Sequence, residues 1–200
     1  MGIRVAIVSL GAANRLSVAY AVERCGASPY FAETPSRLLD ARAIVVPGVA
    51  NFGYAASMLD RLGLRSALQS AITRDVPLLG ICAGFQLLYE QSEESAGARG
   101  LGVLCGTVRA VSGPRRVHMG WSRVRTVGAA KTFENGWAYF AHAFAPRSGS
   151  EEVAAVSRFG KAFVSGIERP GILGVQFHPE RSGAYGQRFL QRFVDGAATR

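Results

Sequence analysis

The stretch Pro77-Leu78-Leu79-Gly80-Ile81-Cys82-Ala83-Gly84 decides the predicted fold, because it combines a buried strand, a sharp turn and the start of a helix. The apolar run before Cys82 predicts a strand over 77–81, and the residues after it predict a helix over 83–90. Glycines on both sides of such a turn are typical of a nucleophile elbow, where a β-carbon would crowd the neighbouring strand or helix. Cys82 is therefore a candidate nucleophile; the alternative is a small buried cysteine at a strand end.

The first half of the chain alternates strands with helices. Short apolar runs predict strands, and apolar residues at helical spacing predict helices. The predicted strands are 3–8, 43–46 and 77–81, and the predicted helices are 17–24, 54–59, 64–73 and 83–90. Strands that alternate with helices in this way predict a parallel sheet covered by helices on both faces.

The second half of the chain changes to short, closely spaced strand candidates separated by Gly, Pro or Ser, followed by one helix over 189–194. The strand candidates are 103–111, 117–124, 138–144, 152–157, 161–167 and 172–177. We therefore expect a three-layer α/β fold: an open, mostly parallel sheet with helices on both faces and an antiparallel extension. Because no linker composition or internal repeat interrupts it, we expect a single domain over 1–200.

Composition indicates an ordinary globular protein, with 200 residues of which 48% are hydrophobic and 18% charged. No apolar run approaches the roughly 20 residues of a membrane helix, and the first residues do not resemble a signal peptide. We therefore expect a cytoplasmic protein that does not act at a membrane. Three cysteines without close spacing argue against a disulfide framework and against a zinc site, so any cysteine chemistry must come from one thiol.

The net charge of +9 comes from 23 Lys and Arg against 14 Asp and Glu. The basic residues are scattered, with Arg115-Arg116 the single adjacent pair, and no aromatic-interleaved basic stripe is present. We therefore expect no nucleic-acid partner. The charge is interpreted as an aid to solubility or as attraction to an acidic partner.

A nucleophilic cysteine needs a base, and the chain has three histidines. His178 follows the predicted strand 172–177, so it should emerge at the carboxyl edge of the sheet, as Cys82 does. Glu180 is close enough along the chain to accept a hydrogen bond from the imidazole. The predicted catalytic residues are Cys82, His178 and Glu180; the alternative is a capping histidine with a solvated glutamate.

The oxyanion of an acyl-transfer intermediate needs backbone N–H donors, for which the sequence offers two sources. One is the amide of Ala83, immediately after the candidate nucleophile. The other is the turn Pro47-Gly48-Val49-Ala50, which follows the second predicted strand at the same sheet edge. The alternative interpretation of this segment is a plain strand-to-helix turn.

Several segments together resemble the class I glutamine amidotransferases, and most closely the glutaminase subunits of imidazole glycerol phosphate synthase. The cysteine and His-Pro-Glu segments are typical of the class, and the His-Met-Gly-Trp segment is typical of the subfamily. The matching segments are Pro47-Gly48-Val49, Asn51-Phe52-Gly53, Gly80 to Leu88, Ser92-Glu93-Glu94, His118-Met119-Gly120-Trp121, Tyr139-Phe140-Ala141-His142 and Gly174 to Ser182.

The resemblance implies the same three catalytic residues and an oxyanion loop at Gly48 and Val49. It also implies glutamine contacts from Gln86, Glu94 and the segment around His142. No metal or organic cofactor is implied. The implied partner is a (β/α)8 barrel cyclase that forms a heterodimer with this chain and receives ammonia. Trp121 would face that partner; on residue type alone, a core aromatic is the alternative.

The sequence departs from the family pattern at three places. Ser9 to Asn14 replaces the usual Asp-Tyr-Gly-Met-Gly-Asn opening, Ala50 replaces a glycine, and Ala143-Phe144 replaces Ser-Tyr. These departures leave open a diverged paralogue that supplies another synthase, or a binding subunit without turnover. A cysteine peptidase or γ-glutamyl hydrolase of the same fold is a further alternative, against which Gln86 and Glu94 argue.

Overall fold

The computed structural model describes residues 2–11, 15–48, 50–147 and 152–199. The first half forms alternating strands and helices. Its elements are β1 (Arg4–Val8), α1 (Arg15–Glu23), β2 (Ser28–Ala32), a 3-10 helix (Pro35–Leu38), β3 (Ala43–Val46), α2 (Phe52–Arg61), α3 (Leu64–Thr73), β4 (Leu78–Ile81), α4 (Ala83–Gln86) and β5 (Tyr89–Ser92).

The second half is dominated by strands and closes with one long helix. Its elements are β6 (Leu104–Ala110), β7 (His118–Thr126), β8 (Gly136–His142), β9 (Phe144–Pro146), β10 (Val153–Phe159), β11 (Lys161–Arg169), β12 (Ile172–Val175), a second 3-10 helix (Pro179–Arg181) and α5 (Gly183–Ala198).

Among the described residues, nine strands form the main sheet in the order β2-β1-β3-β4-β12-β11-β10-β7-β8. The five strands from β2 to β12 pair in parallel, and the remaining pairs are antiparallel. A smaller sheet contains β5, β6 and β9. The predicted parallel sheet with an antiparallel extension is therefore confirmed.

Both faces of the parallel sheet are buried, which explains its continuous apolar runs. In β1, Val5 and Ile7 join one core cluster with α1 and α5, whereas Ala6 and Val8 join the other with α2 and α3. The layers are therefore helix, sheet and helix. None of the helices among the described residues has the length and apolarity needed to cross a membrane.

The helix predicted over 83–90 is wrong in its second half. α4 ends at Gln86, and Tyr89 already belongs to β5. The carbonyls of Leu87 and Leu88 accept from the amides of Leu101, Val103 and Leu104 at 2.6 to 2.9 Å. A further helical turn would need each of these carbonyls to accept from the amide four residues later. They accept from amides of a distant segment instead, so the helix ends.

The strand predicted over 138–144 is two strands in different sheets. β8 pairs with β7 up to His142, and β9 pairs with β6 from Phe144 onward. β2, an edge strand that contains Pro29, is not among the predicted strands. The final helix was predicted too short, since α5 has 16 residues.

Candidate active site

The turn at Cys82 is strained and tightly packed. Cys82 has φ +53° and ψ −110°, in a region that side-chain-bearing residues rarely adopt. A β-carbon on Gly84 would lie 1.8 Å from the carbonyl oxygen of Val46, and one on Gly80 would lie 2.8 Å from that of Gly84. Glycine at position 84 therefore lets α4 pack against β3, and glycine at position 80 lets α4 pack against the end of β4, which holds the cysteine at the strand end.

His178 reaches the same edge of the sheet because β12 lies beside β4 in parallel, with Val175 opposite Ile81. The amide of Cys82 also donates to the carbonyl of Val175 at 2.8 Å. Cysteine and histidine therefore emerge from neighbouring strands in the same direction, as the sequence predicts.

Glu180 orients the imidazole. His178 Nδ1 lies 2.8 Å from Glu180 Oε1, so Nδ1 carries the donated hydrogen and Nε2 is left for Cys82. Both side chains are buried. Burial alone would lower the pKa of His178, but the negative charge at Cys82, its hydrogen bond and that of Glu180 together raise it to about 10. The geometry therefore favours a histidine that carries a proton beside the sulfur.

The segment that carries His178 is fixed to β8. The amide of His178 donates to the carbonyl of Tyr139 at 2.9 Å. The hydroxyl of Ser182 donates to the carbonyl of His178 at 2.6 Å and accepts from the amide of Tyr139 at 2.9 Å. These bonds position the histidine backbone between the parallel core and the antiparallel extension.

A cavity of about 520 Å³ opens over Cys82. This volume is within the range of small-molecule sites. Its lining combines Cys82 and His178 with polar and apolar side chains from both halves of the chain: Ala50, Asn51, Cys82, Ala83, Gln86, Glu94, Val117, Ala141, His142, Ala143, Phe144, His178 and Arg181. All three predicted glutamine-binding residues are therefore at this cavity.

All three of those residues have hydrogen-bond partners within the chain. Gln86 Nε2 donates to the carbonyl oxygen of Phe144 at 2.7 Å. His142 lies 2.9 Å from the same carbonyl through Nδ1 and 3.1 Å from His118 Nδ1 through Nε2. Glu94 Oε2 accepts from the amide of Phe52 at 2.7 Å, at the start of α2.

The two predicted oxyanion segments are in contact. A β-carbon on Gly48 would lie 2.6 Å from both Cβ of Ala83 and the amide nitrogen of Gly84. The loop after β3 therefore lies directly against the turn that follows the cysteine. Val49, the third predicted oxyanion residue, is outside the described residues.

Trp121 lies at the surface rather than in the core. Its side chain is 54% exposed, and its ring meets that of Tyr139 edge to face at 6.2 Å. The interpretation as a core aromatic therefore fails. Across the described residues, no group of three or more His, Cys, Asp or Glu side chains is placed to hold a metal ion.

The model of the family described as "Glutamine amidotransferase class-I" matches residues 14–197. The chain belongs to this family. It is 40% identical to imidazole glycerol phosphate synthase subunit HisH of Methanopyrus kandleri, over 98% of this chain and 99% of the relative. It is 35% identical to the protein of the same name from Oceanobacillus iheyensis, over 96% and 98%.

Solved structures share the fold of this amidotransferase. A crystal structure titled glutamine amidotransferase superposes with a TM-score of 0.79 at 21% identity, over 97% of this chain and 98% of that one. The structure of PurLQS from Thermotoga maritima superposes with a TM-score of 0.78 at 20% identity, over 98% and 99%. At these identities the likeness extends to the fold alone.

Three residues of the amidotransferase site were not singled out from the sequence. Gln176 donates from Nε2 to Cys82 Sγ at 3.6 Å, and Asn51 and Arg181 line the cavity. The guanidinium of Arg181 lies 4.4 Å from the centre of the Tyr139 ring. Alternation in the strand 172–177 assigns Gln176 to one sheet face, but no local pattern indicates that this face meets the sulfur.

Proposed function

We propose that the chain is the glutaminase subunit of an imidazole glycerol phosphate synthase, which acts in histidine biosynthesis in the cytoplasm. It hydrolyses glutamine to glutamate and ammonia as one domain and passes the ammonia to a cyclase partner. The observation that carries the proposal is the Cys82, His178 and Glu180 arrangement beside the 520 Å³ cavity. Near full-length relatives that carry this name support it.

In the first half of the proposed reaction, the thiolate of Cys82 attacks the side-chain carbonyl carbon of glutamine. The carbonyl oxygen becomes an oxyanion, which the amides of Ala83 and of the Gly48–Val49 loop stabilise. The C–N bond then breaks while His178 gives its proton to the leaving nitrogen. The products are ammonia and a glutamyl thioester on Cys82.

In the second half, water attacks the thioester carbonyl. His178 Nε2, neutral after the first proton transfer, accepts a proton from this water. The C–S bond breaks, glutamate leaves, and the thiolate and the imidazolium are restored. Throughout, Glu180 keeps the Nδ1 hydrogen in place and stabilises the charged ring.

Glutamine binding is assigned to the cavity wall that Gln86, Glu94 and the segment around His142 form. We assign Glu94 to the ammonium group of the substrate, because it supplies a carboxylate to this wall. Gln86 and the segment around His142 shape the space for the side chain. This assignment favours a free amino acid over a peptide, which has no ammonium group at an internal residue.

The partner surface is proposed on the outer face of β7 and β8. Alternation along the strands places Met119, Trp121 and Arg123 on this face, and Trp137 lies opposite Arg123. The side chains of Met119, Trp121 and Trp137 are 54 to 69% exposed. Exposed aromatic side chains beside Arg123 suit a partner surface that is acidic and partly apolar, which we propose the (β/α)8 cyclase supplies.

The experiment measures glutamate release from glutamine by the wild type, Cys82→Ala and Cys105→Ala, alone and with the cyclase barrel and its nucleotide. Cys105 is exposed and does not line the cavity, so Cys105→Ala is the matched control. We expect release with the barrel in wild type and Cys105→Ala, and a loss of at least about 10³-fold in Cys82→Ala. Equal release by Cys82→Ala would contradict the mechanism.

A second candidate is an amidotransferase that feeds a different synthase. It is favoured by Ala50, Ala143 and Phe144, which replace family residues and all line the cavity. The same experiment, extended by labelling of the wild type with a glutamine-like electrophile, separates the two proposals. Silence with the histidine-pathway barrel, together with labelling of Cys82 by a glutamine-like electrophile, supports the second candidate.

A further inference from the structure

We propose that Gln176 is a positioning residue for the nucleophile: its side-chain amide holds the sulfur of Cys82, and the carbonyl of Phe144 determines which end of that amide faces the sulfur. The inference deepens the proposed glutaminase function and rests on it for its kinetic arm. It starts from two observations, the 3.6 Å contact from Gln176 Nε2 to Cys82 Sγ and the complete burial of Gln176.

The orientation of both amides follows from a single acceptor. A carbonyl oxygen can only accept, so Gln86 must present its Nε2 to Phe144 O, at 2.7 Å. The second hydrogen on Gln86 Nε2 then meets Gln176 Oε1 at 3.1 Å. Because its oxygen is held there, Gln176 must present Nε2 to the sulfur. If the Gln176 amide were flipped, its Oε1 would face the sulfur, and its Nε2 would face Gln86 Nε2, which is also a donor.

The same carbonyl fixes two histidine tautomers. His142 must donate from Nδ1 to Phe144 O at 2.9 Å, so its Nε2 accepts from His118 Nδ1 at 3.1 Å. His118 Nε2 then accepts from the hydroxyl of Ser122 at 2.8 Å. This chain of bonds begins on β7, whose outer face carries Trp121, and ends at Cys82.

The two histidines stay neutral near physiological pH, so their tautomers are constant. Burial lowers the pKa of His118 to about 4. Burial, with a smaller contribution from His118, lowers the pKa of His142 to about 3. Phe140 and Phe159 also stack on the ring of His118 at centroid distances of 4.8 and 4.4 Å. The network therefore keeps one hydrogen-bond pattern near physiological pH.

An N–H donor to sulfur favours the thiolate over the thiol, because the hydrogen bond is stronger to the charged form. Gln176 is buried behind the cavity and is not among its described lining residues. Its effect should therefore fall on the reactivity of the sulfur and not on the binding of glutamine. This separates the role of Gln176 from that of a substrate-binding residue.

The test replaces Gln176 with Met, which has a similar length and no donor. Alkylation of Cys82 by iodoacetamide is followed as a function of pH by mass spectrometry of the Cys82 peptide. Gln91→Met, an exposed glutamine on β5, is the matched control. The other titratable groups around the site are unchanged: His178 with Glu180, Arg181 from the second 3-10 helix, Glu94 after β5, and His142 from β8.

We expect the alkylation profile of Gln176→Met to move upward by about one pH unit, which makes alkylation about tenfold slower on its rising limb. In glutamate release with the barrel, kcat should fall about tenfold, while KM stays within about twofold. Gln91→Met should match the wild type in both assays. An unchanged alkylation profile in folded Gln176→Met overturns the inference.

Folding is checked by circular dichroism, and Gln176→Leu replaces Gln176→Met if the latter does not fold. If neither variant folds, the side-chain amide resonances of Gln176 in the wild type decide. They should shift when Cys82 is alkylated, and unmoved resonances overturn the inference. Alkylation needs neither glutamine nor the barrel. A wild type that is silent in glutamate release therefore refutes the proposed function without touching this result.

Discussion

Mild acid should destabilise this protein through the buried pair of His118 and His142. In the folded state, their pKa values are lowered to about 4 and about 3, from 6.5 for an ordinary imidazole. A folded-state pKa below the unfolded value means that the unfolded chain binds protons first as pH falls. The contribution of this pair to the free energy of unfolding is therefore present above pH 6.5 and is lost as pH falls below it.

The magnitude follows from the two pKa differences. Between pH 6.5 and pH 5, the lowered pKa of each histidine reduces the free energy of unfolding by about 1.5 kcal/mol, which gives about 3 kcal/mol for the pair. For a chain of this size, that corresponds to a fall in melting temperature of about 6–12 °C.

The other groups whose pKa values are shifted contribute little between pH 6.5 and pH 5. The pKa of His178 is raised, so its stabilising contribution is present below pH 6.5 and is lost only as pH rises toward about 10. Hydrogen bonds from Arg65 and Arg192 lower the pKa of Asp60 and Glu134, so those contributions are lost at lower pH. The fall in this window should therefore report on His118 and His142.

The assay is thermal unfolding followed by far-ultraviolet circular dichroism at pH 6.5 and pH 5. Tryptophan fluorescence is a poor choice, because Trp121 and Trp137 are already 54% and 59% exposed in the folded protein. His118→Asn, whose amide can still donate to His142 Nε2, removes one titrating group. We expect it to halve the fall. A wild type of equal stability at the two pH values, or an equal fall in His118→Asn, would refute the reasoning.

Two further predictions concern the turn and the surface. Gly84→Ala should destabilise the chain by at least about 2 kcal/mol in urea unfolding, because its β-carbon would lie 1.8 Å from the Val46 carbonyl oxygen. The control is Gly196→Ala in α5, which should be neutral or stabilising because a β-carbon there would meet open space. Trp121→Ala should leave the melting temperature unchanged but weaken calorimetric binding of the barrel by about 2 kcal/mol. Leu39→Ala, 63% exposed near the opposite edge of the sheet, should bind normally, and equal binding by both variants would contradict the proposed surface.

The sequence predicted most reliably where local pattern and tertiary structure agree. The predicted bounds 43–46 and 64–73 coincide with β3 and α3, because a continuous apolar run suits a strand buried on both faces and an apolar stripe at helical spacing buries one face of a helix. The helix predicted over 83–90 went wrong where distant amides capture the carbonyls of Leu87 and Leu88. A local pattern does not encode such a partner.

In the candidate site too, some residues could be predicted from local pattern and others depend on distant partners. Cys82 and His178 could be paired from sequence, because each follows an apolar strand and parallel strands end at one edge. Gln176 could not, because its role depends on a contact across the sheet edge with a residue 94 positions away. Residues at strand ends are predictable from the strand, whereas buried polar residues inside a strand acquire their roles from the neighbouring elements.

The hydrogen bonds at Phe144 also explain why one short segment can influence both halves of the site. The carbonyl of Phe144 accepts from Gln86, beside the nucleophile, and from His142, at the end of β8. A shift of β9 would therefore disturb the amide of Gln176 and the tautomer of His142 together. Ala143 and Phe144 replace the Ser-Tyr of the family pattern, which changes two side chains of the cavity wall. The carbonyl of Phe144 belongs to the backbone, so its hydrogen bonds to Gln86 and His142 are retained, and with them the support of the sulfur.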